Sequence, residues 1–522
     1  MSELRQSLLE TLGSFEASAA VPVGLDRMES RLMIGGELRP SSDGALLINT
    51  NPVTGEQVGE VSDASPDDAL AAVAGARKAL TGTTWSTDSN FRSACLRQLC
   101  SALERNAADF RTALVSEIGC PARMTFADQF DYAVAKLAFY ADLLDTYEFS
   151  DSLDDLPTYG AVLRRQLWRE PVGLVAAITP WNLPIELMLA KVGGALAGGN
   201  AIILKPSPLA PWCATILGRV IAEETDIPAG IVAVLPSARL ETAQALTSSP
   251  DVDAIAFTGS THTGEAVMRS ASSTLTKVCL ELGGKSPSIF LPDADLAFVL
   301  PFAAGMAMFN AGQSCIMPSR MLVPIEQFDR CLDLAVEGMA AVNWGDPWSP
   351  ETFMGPLISA DRRNEVVGVV RRSAEQGARI VCGGNAIPGP GFFMEPTLIA
   401  DLDGSSEAAQ QEIFGPVVVM TPYTSVEHAI ELANDTEFGL AAYVWGASAE
   451  DAAQVGSRIR AGMVGINGGQ FTSADMPFGG MRRSGIGREW GVAGMEEFLE
   501  TRTMATRIPV VSEDSPVFLA GK

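Results

Sequence analysis

The residue of this sequence best suited to covalent chemistry is Cys315. It lies within residues 309–320, FNAGQSCIMPSR, in a turn rich in glycine, glutamine and serine. A small-residue, apolar run precedes the turn and a strand-like segment, 321–324, follows it. A turn held on both sides would expose the sulfur as a nucleophile. A buried structural cysteine is the commoner fate, and the chain has eight cysteines, so Cys315 depends on its companions.

Two polar residues could complete such a site. Asn182 lies between Pro180 and Pro184 in the run TPWNLP, which would pin its amide as an oxyanion donor. The alternative is an asparagine that only forms a turn. Glu281 precedes the glycines of ELGGK, where a carboxylate in an apolar cleft could act as general base. The alternative there is an acid at a helix end or in a salt bridge.

Two other segments could bind phosphate or ribose. Residues 257–264, FTGSTHTG, join a predicted strand to a predicted helix, and glycines there allow a phosphate close to backbone amides. The spacing is not GxGxxG, so a plain strand–helix turn is equally consistent. Lys205 ends another predicted strand and could hold ribose or phosphate, although most such lysines are surface residues.

Alternating strands and helices must position these residues. From residue 171 onward, the pattern predicts a βαβ series and therefore a parallel sheet with right-handed crossovers. Its predicted strands are 172–178, 201–204, 231–235 and 253–257, and its helices are 185–196, 212–224 and one from Gly264. A second α/β series spans about 286–480, with predicted strands at 288–291, 321–323, 379–382, 417–421, 441–445 and 462–466.

The first third of the chain reads differently. Short strands are predicted within 31–62, and a helix begins at Ser65 and Pro66, which are cap and first-turn signals. Helical patterns continue to about Leu144, a polar break follows at 151–157, and 162–168 is a projecting strand candidate. Residues 1–28 are interpreted as an extension with some amphipathic helix.

Composition narrows the function classes. The 522 residues carry a net charge of −26, which disfavours nucleic acid and anionic membranes as partners, and no run of eighteen apolar residues occurs. Two histidines and the absence of a CxxC pair argue against a histidine triad or a metal site. Thinly spread cysteines and no signal-peptide pattern indicate a reduced, cytoplasmic protein.

Taken together, the motifs resemble those of the aldehyde dehydrogenase superfamily over about residues 30–505. The motifs occur in family order and are PWNLP, FTGS, ELGGK, GQSC, EIFGP and PFGG…SGIGRE. The resemblance implies oxidation of an aldehyde to a carboxylic acid with NAD(P), through a cysteine thiohemiacetal and a thioester. It implies no metal and no coenzyme A.

The resemblance also implies residue roles. Cys315 matches the nucleophile, Asn182 with the Cys315 amide the oxyanion hole, and Glu281 the base that activates water. Lys191 and Glu489 match positions implicated in proton relay from that base. Lys205 and Glu412 match the ribose-holding pair, Ser260 the pyrophosphate contact and Phe414 the nicotinamide contact. The remaining cofactor positions are Thr179, Pro180, Trp181, Ser207, Pro208, Gly259 and Leu282.

The family fold implies an α/β protein with two Rossmann-like parallel-sheet domains and a small β oligomerisation element, assembled as a homodimer or homotetramer. The dinucleotide-binding domain takes 30–148 and 172–283, and the catalytic domain takes 284–483. The oligomerisation element and tail take 149–171 and 484–522, with 1–29 as an N-terminal extension.

Cofactor and substrate preference rest on single positions. Many NAD-preferring members carry a glutamate where this chain has Pro208. Because no carboxylate there repels a 2′-phosphate, NADP is possible, and NAD is favoured from the resemblance alone. Leu183, Leu187 and Ala190 stand where many small-aldehyde oxidisers have bulky residues, and Phe471 and Phe478 are apolar wall candidates. An apolar, medium-sized aldehyde is the resulting hypothesis.

Two rival functions use the same residues differently. A thiol hydrolase could use Cys315 and Glu281 without a cofactor, which the intact nucleotide motifs disfavour. A non-catalytic structural protein of this fold would be expected to have lost Cys315, Glu281 or Asn182, and all three are present.

Overall fold

The computed structural model describes residues 24–510 of the chain. Within them the strands form sheets of eight, seven, three and two strands. The predicted α/β class, with two parallel-containing sheets and a small β element, is confirmed. Most of the predicted N-terminal extension, including its amphipathic helix, lies outside the described residues, and Leu25–Arg27 forms a short 3-10 turn.

The strands and helices are numbered in chain order. The strands are β1 Leu32–Ile34, β2 Glu37–Arg39, β3 Leu46–Thr50, β4 Gln57–Ser62, β5 Ser150–Thr158, β6 Ala161–Pro171, β7 Leu174–Ile178, β8 Ala201–Lys205, β9 Val232–Val234, β10 Ala254–Thr258, β11 Lys277–Glu281, β12 Pro287–Phe290, β13 Arg320–Pro324, β14 Arg379–Cys382, β15 Thr397–Ala400, β16 Val417–Tyr423, β17 Ala441–Trp445, β18 Met463–Ile466, β19 Gly485–Ile486 and β20 Leu499–Pro509. The α-helices are α1 Pro66–Gly82, α2 Ser89–Arg105, α3 Ala107–Ile118, α4 Asp131–Leu143, α5 Pro184–Ala197, α6 Trp212–Glu224, α7 Leu240–Thr247, α8 Thr261–Ala271, α9 Leu296–Met306, α10 Phe328–Ala340, α11 Ala360–Glu375, α12 Glu407–Gln410, α13 Val426–Asn434, α14 Ala449–Gly456 and α15 Gly491–Glu496.

The eight-stranded sheet is ordered β19-β11-β10-β7-β8-β9-β1-β2. Its five central strands, β11 through β9, run parallel. β8 and β10 are buried along their whole length, as expected of apolar strands covered by helices on both faces. The carboxyl ends of these strands meet at one edge, which is where parallel sheets bind ligands.

Helix α5 covers this sheet and is buried along nearly its whole length. A helix that is apolar all round belongs in a protein core, so the single cation in its interior, Lys191, must find a buried partner. Helix α8 begins at Thr261, three residues before the start predicted at Gly264. The predicted start was wrong because the Ser260 hydroxyl caps the helix by accepting a hydrogen bond from the Thr263 amide at 3.2 Å.

The seven-stranded sheet is ordered β14-β15-β16-β13-β12-β17-β18. All its pairs are parallel except β14 with β15. Strand β15 was not predicted, since its four residues follow the turn-rich segment 383–396 and show no alternation.

The three-stranded sheet is ordered β20-β6-β5. The polar break predicted at 151–157 was wrong, because these residues form β5, paired antiparallel with β6. Both faces of β5 are largely exposed, so its acidic sequence lacks the alternation that marks a strand. Trp168 on β6 is half-buried, and the Arg502 guanidinium lies 5.3 Å from its ring centroid.

Strand β19 returns the chain to the first sheet after the second is complete. It pairs antiparallel with β11, so that Gly485 lies opposite Glu281. The predicted domain bounds remain a prediction. Among residues 24–510, no helix combines the length and apolar character needed to cross a membrane.

Candidate active site

A cavity of about 520 Å³ opens at the carboxyl edge of the eight-stranded sheet. Asn182, Glu281 and Cys315 all line it, although they come from segments far apart in the sequence. Asn182 follows β7, Glu281 ends β11, and Cys315 lies on the turn between α9 and β13. The structure therefore brings together the three residues predicted for the chemistry.

The turn that carries Cys315 is held by its own side chains. Asn310 and Ala311 have φ values of 51° and 54°, in the left-handed region that non-glycine residues seldom occupy. The Gln313 side chain donates to the Asn310 carbonyl at 3.0 Å and accepts from the Ile358 amide at 2.9 Å. The strain is retained because these bonds fix the turn, and the thiol is held in place.

The environment of Cys315 disfavours its thiolate. Burial raises the pKa of the Cys315 thiol, and the nearby carboxyl groups of Glu412 and Glu281 raise it further. A nucleophilic thiolate therefore needs a change in charge or hydration near the sulfur, such as ligand binding would bring.

The Asn182 side chain is oriented by direct contact with the same turn. Its Nδ2 donates to the Gln313 carbonyl at 3.0 Å. The backbone carbonyl of Asn182 accepts hydrogen bonds from Gln129 Nε2 at 3.1 Å and from Asn310 Nδ2 at 2.9 Å. These bonds fix the position of Asn182. Sequence analysis missed Gln129 and Asn310, since an isolated amide carries no pattern.

Glu281 is only 2% exposed, and neither carboxylate oxygen has a hydrogen-bond partner in the described part of the chain. Burial raises its pKa well above the usual 4.5, and the charge of Glu489 raises it further. A buried carboxyl without donors is uncommon in a folded protein, so Glu281 is a candidate for a chemical role. The backbone leaves it room, because a Cβ at Gly479 would lie 2.5 Å from Glu281 Oε1.

Lys191 and Glu489 form a buried ion pair next to Glu281. Lys191 Nζ also donates to Thr258 Oγ1 at 2.5 Å. Glu489 Oε2 is buried without a partner among the described residues. The two predicted relay residues are thus in contact with each other, and their charges act on the pKa of Glu281.

The cavity also has features that suit a dinucleotide. Seven of the predicted cofactor residues line it, namely Pro180, Trp181, Gly259, Ser260, Leu282, Glu412 and Phe414. The first turn of α8 opens onto it, so unpaired amides and the positive end of the helix dipole face the space. The Trp181 and Phe414 rings meet edge to face at 5.6 Å and form an apolar wall.

Glu412 is held at this wall by the backbone. Its Oε1 accepts from the Gly284 amide at 3.1 Å, and burial raises its pKa to about 7. Arg362 also lines the cavity and donates through Nε to the Phe414 carbonyl at 3.2 Å. Arg362 was not predicted, because it lies in an ordinary charged helix, α11.

Four predicted cofactor residues, Thr179, Lys205, Ser207 and Pro208, are not among those lining the cavity. Lys205 Nζ donates to the Ser237 carbonyl at 2.8 Å, and burial lowers its pKa to about 8. Lys205 and Glu412, predicted to act as a pair, are not in contact.

A second cavity, of about 250 Å³, adjoins the other side of the Cys315 turn. Its lining includes Ser314 and Ile316, the neighbours of Cys315, and the predicted wall residue Phe471. Leu187 lines the first cavity instead. Leu183, Ala190 and Phe478 line neither, although Phe478 packs in the same apolar cluster as Cys315.

Comparison with known proteins agrees with this geometry. Residues 39–504 match the model of the aldehyde dehydrogenase family. A 3-succinoylsemialdehyde-pyridine dehydrogenase from a Pseudomonas species is 37% identical over 461 residues, which are 87% of this chain and 94% of that protein.

Solved structures show the same likeness. A mutant aldehyde dehydrogenase of Pseudomonas syringae in complex with NAD+ and octanal has a TM-score of 0.87 and 34% identity, covering 93% of this chain and 98% of that chain. An aldehyde dehydrogenase of Mycobacterium tuberculosis complexed with NAD+ has a TM-score of 0.87 and 36% identity, covering 92% and 98%. The resemblance inferred from the motifs is confirmed, and this chain belongs to the aldehyde dehydrogenase family.

Proposed function

We propose that the protein oxidises an aldehyde to its carboxylic acid with NAD, through a thiohemiacetal and then a thioester on Cys315. The observation that carries this proposal is that Cys315, Asn182 and Glu281 line one cavity, which the N-terminus of helix α8 also lines. The complexes of the two relatives with NAD+, one of them also with octanal, support it.

The residues present fit a dinucleotide. The amides at the start of α8, with Gly259 and Ser260, would hold the pyrophosphate, while Glu412 would bind ribose hydroxyls. Phe414 and Trp181 would pack against the nicotinamide. Bound there, NAD would supply the hydride acceptor. NADP remains possible, because the chain has Pro208 rather than a carboxylate at that position.

Cys315 would attack the aldehyde carbon, and Asn182 would stabilise the resulting oxyanion. The side-chain amide of Asn182 has two N–H donors, and only one of them donates to the Gln313 carbonyl. The other is free for the substrate oxygen, together with the backbone amide of Cys315. Because Gln129 and Asn310 fix the Asn182 backbone, the donor is preorganised before the charge develops.

Glu281 would then act as the base that activates water against the thioester. Its desolvated carboxyl is suited to take a proton once hydride has left, since its raised pKa makes it a stronger base than an exposed glutamate. The ion pair of Lys191 and Glu489 offers a route by which that proton leaves the buried site.

The three-stranded sheet carries exposed apolar residues that suit an oligomer interface. On its β5–β6 hairpin, Leu156 is 47% exposed and Tyr159 is 98% exposed. Such apolar surface is typical of an interface. We propose a homodimer or homotetramer, and sedimentation showing only monomer at micromolar concentration would contradict it.

Absorbance at 340 nm tests the function directly. The purified protein, NAD and an alkanal should produce NADH, and Cys315→Ala should produce none. Running the panel with NADP as well measures the cofactor preference. Ester cleavage without any cofactor-dependent aldehyde oxidation would instead support the thiol hydrolase. No activity of either kind would favour the structural protein.

A further inference from the structure

Helices α4 and α5 carry buried polar groups that the steps proposed above do not use. Tyr140 on α4 is fully buried, and none of the described residues accepts a hydrogen bond from its hydroxyl. Glu186 on α5 has one carboxylate oxygen, Oε2, in the same condition. Glu489 Oε2 and both carboxylate oxygens of Glu281 are also unpartnered within residues 24–510. Buried polar atoms are normally hydrogen-bonded, to protein groups or to internal water, so each of these atoms is an exception.

Tyr140 packs against the segment that carries Glu489. Its ring stacks on that of Trp490, with the centroids 5.8 Å apart and the planes at 15°, and Lys136 Nζ lies 5.5 Å from the same Trp490 ring. Trp490 has a φ of 59°, in the left-handed region that non-glycine residues seldom occupy. Helix α15 passes the hydroxyl at Gly494, where a Cβ would lie 3.0 Å from the Tyr140 oxygen. The stack therefore fixes the phenol, and the glycine leaves its hydroxyl room.

The Tyr140 hydroxyl is surrounded by groups that keep it protonated. Burial raises the pKa of Tyr140, and the charge of Glu489 raises it further. Cys279 and Glu186 act on the pKa of Tyr140 in the same direction. A neutral hydroxyl both accepts and donates hydrogen bonds. It can therefore pass a proton by accepting one and releasing its own, without becoming a phenolate.

Lys136 and Glu186 form a second ion pair, closer to solvent than the first. Lys136 Nζ and Glu186 Oε1 are 2.6 Å apart, and the two side chains are 11% and 13% exposed. Lys191 and Glu489 are 0% and 4% exposed. The carboxylates of both pairs act on the pKa of Tyr140. Exposure thus increases from the first ion pair to the second, and the phenol is coupled to both.

We propose that Tyr140 relays the proton of thioester hydrolysis from Glu489 to Glu186. The attacking water gives its proton to Glu281, which passes it to the Glu489 carboxylate. The Tyr140 oxygen accepts this proton through internal water while its own hydroxyl proton moves to Glu186. Glu186 then releases a proton to solvent beside Lys136. Each step breaks one O–H bond and forms another, so nothing is oxidised or reduced. This inference rests on the proposed function and extends its proton relay.

Tyr140→Phe tests the relay, because it removes the hydroxyl and keeps the ring that stacks on Trp490. The first burst of NADH should match that of the unmutated enzyme, since hydride transfer precedes the relay. Decay of the acylated enzyme should slow by about tenfold, less than the roughly hundredfold effect of losing a group that handles the proton directly. Its solvent deuterium isotope effect should increase, because proton movement then limits the rate. The variant should be at least as stable to heat, since the lost hydroxyl donated to no described residue.

Tyr423→Phe is the matched control. The Tyr423 hydroxyl belongs to a buried residue of the seven-stranded sheet, but it donates to the Phe290 carbonyl at 2.6 Å. Its loss should lower the unfolding temperature and leave the NADH burst and the decay of the acylated enzyme unchanged. Glu186→Gln, whose amide cannot take up the proton, should slow the decay as Tyr140→Phe does and should keep the burst.

Decay of the acylated enzyme at the unmutated rate in Tyr140→Phe, or in Glu186→Gln, would overturn the inference alone. Loss of the burst together with the decay in folded Tyr140→Phe would also overturn it, because Tyr140 would then hold the site in shape rather than move a proton. If the unmutated enzyme forms no NADH from an alkanal and NAD, the proposed function fails and the inference fails with it.

Discussion

Lys191 and Glu489 form an ion pair that is buried on both sides, with side-chain exposures of 0% and 4%. The pair lies close enough to Glu281 for both charges to act on its pKa, Glu489 raising it and Lys191 lowering it. A buried pair adds little net stability by itself. Its position next to an unpartnered carboxyl supports the proposed relay of a proton from Glu281.

Replacing one partner of this ion pair should destabilise the protein more than replacing both partners. Lys191→Met leaves Glu489 buried and uncompensated, and Glu489→Gln does the same to Lys191, so each should cost about 3–5 kcal/mol. The double variant leaves neither Lys191 nor Glu489 without its partner and should be more stable than either single variant. Thermal unfolding at fixed protein concentration measures this order. A double variant less stable than both singles would contradict the ion pair.

The raised pKa of Glu281 predicts the pH dependence of thioester hydrolysis. The base must be ionised, and its pKa lies above 4.5, so hydrolysis should be lost as pH falls through that raised value. The decay of the acylated enzyme, followed after excess aldehyde is removed, should show this acid limb. Loss of hydrolysis only at the pH where exposed carboxylates titrate, or no loss at acid pH, would contradict this prediction. Glu281→Gln provides the baseline, which should be slow at every pH.

The space around Glu281 depends on Gly479. A Cβ there would lie 2.5 Å from Glu281 Oε1 and 2.9 Å from Arg488 Cδ, and the residue has a φ of 155°. Gly479→Ala should displace the carboxyl and slow thioester hydrolysis by at least tenfold, while the first hydride transfer remains. Gly345→Ala is the matched control, since its φ is 146° and a Cβ there meets nothing within 4 Å. Equal hydrolysis rates in both variants would show that Gly479 does not set the position of Glu281.

Cofactor choice should respond to position 208. Pro208→Glu should weaken the use of NADP by on the order of 1–3 kcal/mol, through repulsion of its 2′-phosphate, and affect NAD much less. Pro208→Gln tests the shape of the side chain without its charge. The ratio of kcat/KM for the two cofactors is the readout. An equal response of both cofactors to Pro208→Glu would mean that this residue is not beside the ribose.

The sequence predicted helices best where hydrophobic periodicity and N-cap residues mark them. Helix α6, Trp212–Glu224, has the predicted bounds, and Ser65 caps α1 with Asp68 in a capping box. The exposed strand β5 was missed because nothing is buried beneath it, and periodicity records only burial. Helix α8 begins before its predicted start because its N-cap is a serine inside the motif that was interpreted as phosphate-binding.

Site residues could be predicted where they lie in a recognisable motif. They could not be predicted where only a tertiary contact brings them to the site. Cys315, Glu281 and Asn182 each lie in a recognisable run. Gln129 comes from a short connection before α4 with no motif, and only the folded chain brings it to Asn182. Lys205 is the opposite case. Its position at the end of a strand was predicted, but its ammonium donates a hydrogen bond to the Ser237 carbonyl.

The most direct test of the account is the first turnover of Glu281→Gln mixed with aldehyde and NAD. An amide cannot take a proton from water, so the reaction should stop after hydride transfer, with a burst of about one NADH per active site and an acyl group retained on Cys315 in the intact mass. Cys315→Ala should show no burst and no adduct. Unimpaired steady turnover by Glu281→Gln, or turnover of the unmutated enzyme only when coenzyme A is added, would contradict the assignment of Glu281 as the hydrolytic base.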